Sequence, residues 1–381
     1  MVVILVDALG WELANATPGF AAALAHRRRL ETVLGFSSGA LPTLFTGRMP
    51  GEHGRFLMYR RRSGGSPFRG FAALAALPHR VRESGTLTRA LTRLVRRRGV
   101  RGYFNLYEVP RPLLAEFDLA ERDDPFASGG LPLPSLWDTL QQRGVAWAGR
   151  NWRTPEADNL AWLGAALERG GGDEAALLFL YTADLDARLH VEGSRGAGVR
   201  AALARYDALI ARLLGHARER GEELWIYLLS DHGMVDVTVT EDVMARLAGI
   251  GARWPKDYLA FFDSTMARFW WRSPGAREAV RGALAGARGR WLDQAELERA
   301  GLQFADHAYG EEIFLLDPGV LMVPSFMGRS PLRAMHGYDP SHPDMAALLW
   351  SNRPVPERVG HLRDVKAFLE SELAALTEDA A

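Results

Sequence analysis

The sequence predicts an α/β fold, with a mostly parallel central sheet flanked by helices and a small α+β cap inserted before the last core strand. Three observations carry that expectation. Short apolar runs rich in β-branched residues alternate with stretches of helical period. Asp and His residues stand just past the ends of several of those runs, where open sheets of this class place their chemistry. One block, from about Gly251 to Met322, breaks the alternation.

Taken in order, the runs Val2–Val6, Gly102–Leu106, Ala146–Gly149, Ala176–Tyr181, Leu224–Leu229 and Ala346–Trp350 read as buried strands. Helical patterns fall around Trp11–Ala25, Thr86–Arg97, Ser135–Arg143, Thr154–Glu168, Val199–Arg218 and Leu362–Leu376. Ser135 has the character of an N-cap with Asp138 in the first turn. Within the irregular block the expectation is a long strand Tyr258–Trp271, a helix Pro274–Ala287, a charged segment and a strand Glu312–Val323. This divides the chain into a core of residues 1–250 and 325–381 and an inserted cap of residues 251–324. The loop-rich pieces Arg60–Pro78 and Asp123–Pro134 carry Gly, Pro and Ser punctuation and are expected to border a site.

Composition narrows the function classes. The 381 residues contain no cysteine, which removes disulfides, thiolate metal sites and cysteine nucleophiles together. Any metal must be held by His, Asp, Glu or hydroxyl oxygen. The 46 basic and 46 acidic residues cancel, so the chain lacks the surplus charge of a nucleic-acid binder, and no nucleic-acid partner is expected. All but two of the basic residues are arginine, in triplets at Arg27–Arg29, Arg60–Arg62 and Arg96–Arg98. The first and third are expected to end helices, where cations suit the dipole. No run has the length of a membrane span. Nor does Met1–Asp7 have the basic flank of a signal peptide, so a cytoplasmic protein without membrane partners is expected.

The residues with chemical potential are Asp7, Asp184, Asp186, His190, Asp231, His232 and His336, all placed near strand ends. Singly each has an ordinary reading. A strand-end Asp caps a helix, and Asp186 with His190 is an i,i+4 pair. Together, three Asp and three His make the oxygen and nitrogen donor set that two cations need. The segment Phe36-Ser37-Ser38-Gly39 adds a hydroxyl at a helix start, in the positive field of unpaired N–H groups. Such a hydroxyl either caps the helix or serves as a nucleophile.

The order Asp7, Ser37, Asp186-x-x-x-His190, Asp231-His232-Gly233, His336-Gly337-Tyr338 resembles the alkaline phosphatase superfamily. The closest branch is its type I phosphodiesterase/nucleotide pyrophosphatase group. In that branch a Thr or Ser nucleophile lies nine residues before the Thr of a Thr-Gly pair, followed by Pro and then His-Gly. Ser37 precedes Thr46-Gly47 by that interval, and Pro50 and His53-Gly54 follow. Leu136-Trp137-Asp138-Thr139-Leu140 with Gly144, and Asp317-Pro318-Gly319, extend the resemblance. It implies an alkaline-phosphatase-like fold and a metal-dependent hydrolase of small phosphoesters, most closely a phosphodiesterase. It further implies one cation on Asp186, His190 and His336, and another on Asp7, Asp231, His232 and Ser37. The resemblance also implies zinc, or manganese, as the metal and a phosphoserine intermediate on Ser37, with Ser38 as the alternative nucleophile. His53 is expected to shape the exit from the nucleophile helix in preference to binding metal, His342 to stand beside the metal ligands, and Asp184 either to stand beside the Asp186 metal or to cap the strand end.

Two departures accompany the resemblance. Nucleotide pyrophosphatases carry an Asn about twenty residues after the nucleophile that helps hold a phosphate oxygen. The same interval from Ser37 reaches the neighbourhood of Met58, so that donor is missing or supplied elsewhere. Arg60 and Arg61, with Ser38, are the candidate substrate contacts. Gly39 and Ala40 replace bulkier polar residues after the nucleophile. Phosphomonoesterases, phosphonate hydrolases and phosphomutases of the same superfamily share the ligand set and stay open. An inactive phospho-ligand binder is the alternative of another class.

Overall fold

The computed structural model describes residues 1–62, 64–168 and 175–378. Residue 63 of the Arg60–Pro78 stretch, residues 169–174 and the last three residues of the 325–381 segment lie outside the described residues. The central sheet has the strand order His26–Leu30, Ala347–Ser351, Ile226–Leu229, Val2–Val6, Leu177–Thr182, Trp147–Arg150. The last four are mutually parallel, whereas Ala347–Ser351 is antiparallel to both its neighbours, so the sheet is mixed.

Both faces of this sheet are covered, which explains why its central strand is apolar throughout instead of alternating. Val3 and Leu5 face a cluster containing Leu44, Phe45, Trp137 and Phe368, contributed by the helices Ser37–Thr46, Leu136–Gln142 and Val365–Glu378. Val2, Ile4 and Val6 face the opposite cluster, which includes Leu185, Leu189, Val199, Tyr206 and Ile210 from Asp184–Glu192 and Ala197–Glu219. Ser135 caps its helix as expected, its Oγ accepting from the Asp138 amide while Asp138 returns a capping-box bond.

Several local expectations give way to tertiary structure. The expected Trp11–Ala25 helix stops at Asn15, because Thr17-Pro18-Gly19 interrupts it. The Arg27–Arg29 triplet lies in the edge strand His26–Leu30 and does not end a helix. Its charges suit an edge that must not pair further, and Arg27 stacks over Trp350 at 4.0 Å. The triplet at Arg96–Arg98 does close a helix, Gly85–Arg97. Gly102–Leu106 forms no strand: the Arg101 and Gly102 amides converge on one carbonyl, that of Arg122, so no ladder develops. The long strand Tyr258–Trp271 folds back as a hairpin of Tyr258–Phe262 and Met266–Trp271. Glu312–Val323 is divided by Asp317-Pro318-Gly319 into Glu312–Leu316 and Val320–Met322. The second piece pairs with Val239–Glu241 outside the cap sheet.

The inserted block carries a four-stranded antiparallel sheet in the order Tyr258–Phe262, Met266–Trp271, Glu312–Leu316, Gly289–Trp291. Its apolar cluster also takes in Tyr59, Phe68, Leu114 and Phe117, so the 59–119 region packs with the insertion as one layer. Arg268 ties the two together. Fully buried, it donates from Nε to Asp263 Oδ2 at 2.8 Å and from Nη1 to the Tyr59 carbonyl at 2.8 Å. Burial pushes the Asp263 carboxyl above its ordinary value despite the pairing with Arg268. Arg268→Met removes the partner and leaves a buried carboxylate, which typically costs about 3–5 kcal/mol. Urea unfolding should show that loss as a lower midpoint with unchanged slope; an unchanged midpoint would show that Asp263 needs no partner.

Candidate active site

The carboxyl ends of three adjacent parallel strands bring the candidate residues together. Asp7 follows Val2–Val6, and Asp231 and His232 follow Ile226–Leu229. Asp186 and His190 come from the helix that begins two residues after Leu177–Thr182, one turn apart on one face. Ala8 adopts a left-handed φ of 60°, which turns the chain sharply after Asp7 and lets the Ala8 amide donate to Asp231 Oδ1 at 3.3 Å. Gly233 is required by proximity, since a Cβ there would lie 2.0 Å from the Asp344 carbonyl oxygen. His336 arrives from far along the chain, placed by the antiparallel pairing of Met335 with Val235.

Two donor groups result. Asp186, His190 and His336 form one, and Asp7, Asp231 and His232 the other, with the candidate ligand atoms of each group within 4.8 Å of one another. The groups adjoin, for the His232 and His336 rings stack at 4.0 Å. In the first group Asp186 Oδ1 lies 3.3 Å from His190 Nε2 and 3.6 Å from His336 Nε2. In the second, His232 Nε2 faces Asp7 Oδ1 and Asp231 Oδ2, each at 3.4 Å.

The remaining atoms of these side chains are held by the fold. Tyr181 O–H donates to Asp7 Oδ2, and Asp231 Oδ1 accepts from the His232 amide at 3.1 Å. His190 Nδ1 donates to the Ala334 carbonyl at 2.9 Å and His232 Nδ1 to the Gly233 carbonyl at 3.0 Å. Carbonyls only accept, so both Nδ1 atoms carry the proton and both Nε2 lone pairs are turned inward, available to a cation. Asp7 Oδ1, Asp186 Oδ1 and Asp231 Oδ2 are buried without a hydrogen-bond partner. Inward-facing carboxylate oxygens and imidazole lone pairs repel one another unless a cation lies between them. The residues therefore fit two metal ions.

The electrostatics agree. Burial, then the nearby Asp231 and Asp186, push the Asp7 carboxyl well above its ordinary value. Burial opposes ionisation of Asp186 as well, but the adjacent imidazole of His190, with those of His336 and His232, outweighs it and holds that carboxyl low. Burial and the adjacent His232 push His336 well down, so it stays neutral and able to ligate.

Ser37 opens the helix Ser37–Thr46, and its Oγ lies 3.1 Å from His232 Nε2. Ser38 Oγ instead donates to the Phe56 carbonyl at 3.3 Å. Gly39 explains the missing bulk after the nucleophile position: a Cβ would meet Phe56 oxygen at 2.7 Å. The helix start is pressed against that carbonyl.

A cavity of about 350 Å³ opens over the donors and is lined by Asp7, Ser37, Ser38, Asp186, His190 and His336. A larger hollow of about 890 Å³ lies at the opposite end of the parallel strands, by Met1, Arg143 and Ala176. Ligands of open α/β sheets bind at the carboxyl ends, where the donors converge, so the smaller cavity is the site.

Other sequence candidates fall elsewhere. Arg60 and Arg61 do not line the cavity; Arg60 sits 3.6 Å from Asp118, and the Arg61 amide donates to Ala308 oxygen. The hairpin of Tyr59–Arg61 with Phe117–Leu119 fixes them there. His53 is buried against Thr43 Oγ1 at 3.0 Å and held at about 3 by burial, the adjacent Arg55 adding to the depression, which makes it a neutral packing residue. His342 Nδ1 accepts from the Asp344 amide, and Asp184 pairs with Arg188 and Arg205. Sequence reasoning missed Tyr181, although it ends a predicted strand beside the site. It also missed Tyr103 and Tyr107, hidden by the mistaken strand Gly102–Leu106, and Trp152; all four line the cavity.

The family model described as type I phosphodiesterase / nucleotide pyrophosphatase matches residues 1–280. Among curated proteins no sequence matches. Among solved structures, murine ectonucleotide pyrophosphatase / phosphodiesterase 5 superposes with a TM-score of 0.66 at 16% identity, covering 98% of this chain and 95% of that one. An inactive variant of that murine protein in complex with AMP gives a TM-score of 0.64 at 16% identity, covering 98% and 94%. The human counterpart gives 0.65 at 14% identity, again covering 98% and 94%. Identities this low speak to the fold.

Proposed function

The chain belongs to the type I phosphodiesterase / nucleotide pyrophosphatase family, which makes it a phosphoric ester hydrolase of a metal-dependent class, and we propose that it is a two-metal phosphodiesterase acting on small phosphoesters through a phosphoseryl intermediate on Ser37. The observation that carries this reading is the convergence of unpartnered carboxylate oxygens and inward imidazole nitrogens beside the Ser37 hydroxyl. Asp186, His190 and His336 would hold one cation; Asp7, Asp231, His232 and Ser37 the other. Zinc suits a His and carboxylate donor set, with manganese the alternative. When bound, the two cations would supply Lewis acidity toward the phosphoryl oxygen and the exchanging oxygens. A cytoplasmic location belongs to the same proposal.

The chain's own residues then account for the chemistry. Ser37 Oγ gives up its proton and forms a bond to phosphorus, while the bond from phosphorus to the departing oxygen breaks and that oxygen takes up a proton. Water next attacks the phosphoserine, leaving its oxygen on phosphorus and returning a proton to Ser37. His232 Nε2 and Ser37 Oγ, 3.1 Å apart, would share one cation, and Tyr181 fixes the orientation of Asp7. The positive end of the Ser37–Thr46 helix favours charge developing on Oγ.

Metal analysis of the purified protein is expected to find about two ions per chain. With metal bound, kcat/KM for bis(p-nitrophenyl) phosphate should exceed that for p-nitrophenyl phosphate by roughly tenfold or more. Preference for the monoester would make the protein a phosphomonoesterase. No retained metal and no turnover of either ester would leave a phospho-ligand binder.

A further inference from the structure

Beyond the candidate metal ligands, the cavity wall is mostly neutral, with Glu121 and Asp263 its charged exceptions. Phe36, Met58, Tyr103, Tyr107, Trp152 and Met327 are among its larger neutral side chains. Among the described residues no Lys or Arg lines it, in a chain where 46 residues are basic. Three arginines of the surrounding fold are held off the wall. Arg153 pairs with Asp124 and donates to the Arg101 carbonyl, Arg268 is buried against Asp263, and Arg55 is buried with Nη2 donating to the Gly130 carbonyl and its other two nitrogens unpartnered. The two further acids on the wall, Glu121 and Asp263, add no positive charge.

The neutral wall is itself an organised surface. The Tyr103 ring meets Trp152 edge-on at 5.3 Å, and the Tyr103 and Tyr107 hydroxyls lie 3.3 Å apart. Tyr107 holds a left-handed φ of 44°, kept there by its amide donating to Asn105 Oδ1 and its carbonyl accepting from Arg111. Backbone strain of this kind persists where the surroundings over-determine it, often at ligand sites. A phosphate group beyond the one being cleaved is ordinarily bound by Arg or Lys, and this wall presents neither.

We infer that the site selects phosphodiesters of a single negative charge whose substituents are uncharged and present an aromatic or apolar face, and that it turns away substrates bearing a second phosphate. The inference rests on the phosphodiesterase reading. Charge balance would support it: two bound divalent cations against the carboxylates of Asp7, Asp186 and Asp231 would leave one positive charge for one diester anion, and Glu121 and Asp263 on the wall add none for a second.

The test compares p-nitrophenyl thymidine 5′-phosphate with its 3′-phosphorylated derivative, which keeps the leaving group and adds only charge. On the metal-loaded chain the added phosphate is expected to lower kcat/KM by about thirtyfold or more. Calorimetric binding of the two compounds to metal-loaded Ser37→Ala protein should show the same ordering without turnover. Met58→Arg, which puts a cation on the wall, should narrow the gap by about tenfold. A gap below about tenfold in the binding measurement, or no response to Met58→Arg, overturns the inference. Failure of the phosphodiesterase reading is distinguishable: neither compound is then hydrolysed, while the binding comparison still reports on the wall.

Discussion

Ser37→Ala is expected to remove phosphodiester hydrolysis almost completely, by on the order of 10³- to 10⁶-fold in kcat, the range seen when an enzyme loses its nucleophile. The prediction follows from position. The Ser37 hydroxyl opens a ten-residue helix and lies 3.1 Å from His232 Nε2, in the group that also holds Asp7 and Asp231. Stability should change little, since the substitution forfeits one partly buried hydrogen bond worth about 1 kcal/mol. Ser38→Ala is the informative control. Its hydroxyl donates to Phe56 oxygen, so its loss should alter kcat far less. Acid quench during turnover, followed by peptide mass analysis, should find the phosphoryl group on the peptide containing Ser37. Wild-type turnover in Ser37→Ala would end the assignment.

Removal of metal by a strong chelator should have a comparably large effect, on activity and on stability together. Three carboxylates and three histidines face each other across the two donor groups, and the inward oxygens of Asp7, Asp186 and Asp231 have no other partner. Stripping the cations leaves that repulsion unrelieved and should bring diester hydrolysis to background. Each cation present at a thousand times its Kd adds about 4 kcal/mol to folding stability. For a chain of 381 residues that corresponds to a Tm shift of roughly 5 °C per site. Differential scanning calorimetry with and without chelator measures it, and zinc or manganese added back should restore both properties. A chelated protein with full activity and unchanged Tm would refute the two-metal reading.

The donor inventory was legible because it depends on residue type and order. Asp7 behind a five-residue apolar run, Asp186 and His190 at helical spacing, and Asp231-His232-Gly233 behind another run are local patterns, and the fold places all three at strand ends. The core strands were legible for the same reason: a strand buried on both faces shows as an unbroken apolar run. Where local pattern competed with turn chemistry, the reading failed. Tyr258–Trp271 is apolar along most of its length, yet Asp263-Ser264-Thr265 reverses it. Gly102–Leu106 looks like a strand but serves as the loop that carries Tyr103 and Tyr107 to the cavity.

Of the three expected substrate contacts, Ser38 lines the cavity and Arg60 and Arg61 do not. Arg60 and Arg61 follow Ser37 closely in sequence and suggested anion binders. A two-stranded pairing with residues 117–119 fixes them away from the cavity, and Arg60 there lies beside Asp118. Met58 was reached by counting, but only the fold shows it on the wall of the site.

By itself, then, the sequence determined the chemical vocabulary: no thiolates, Asp and His at strand ends, a hydroxyl at a helix start, and an α/β scaffold to carry them. Tertiary structure decided which atoms of those residues face one another. It turned Ser37 toward His232 and Ser38 toward a backbone carbonyl, brought His336 to the site through the pairing of Met335 with Val235, and kept Arg60 and Arg61 off the cavity wall. The physical reason is that residue type and spacing are local, whereas the direction of a side chain at a shared site is set by strand register and loop closure between segments hundreds of residues apart.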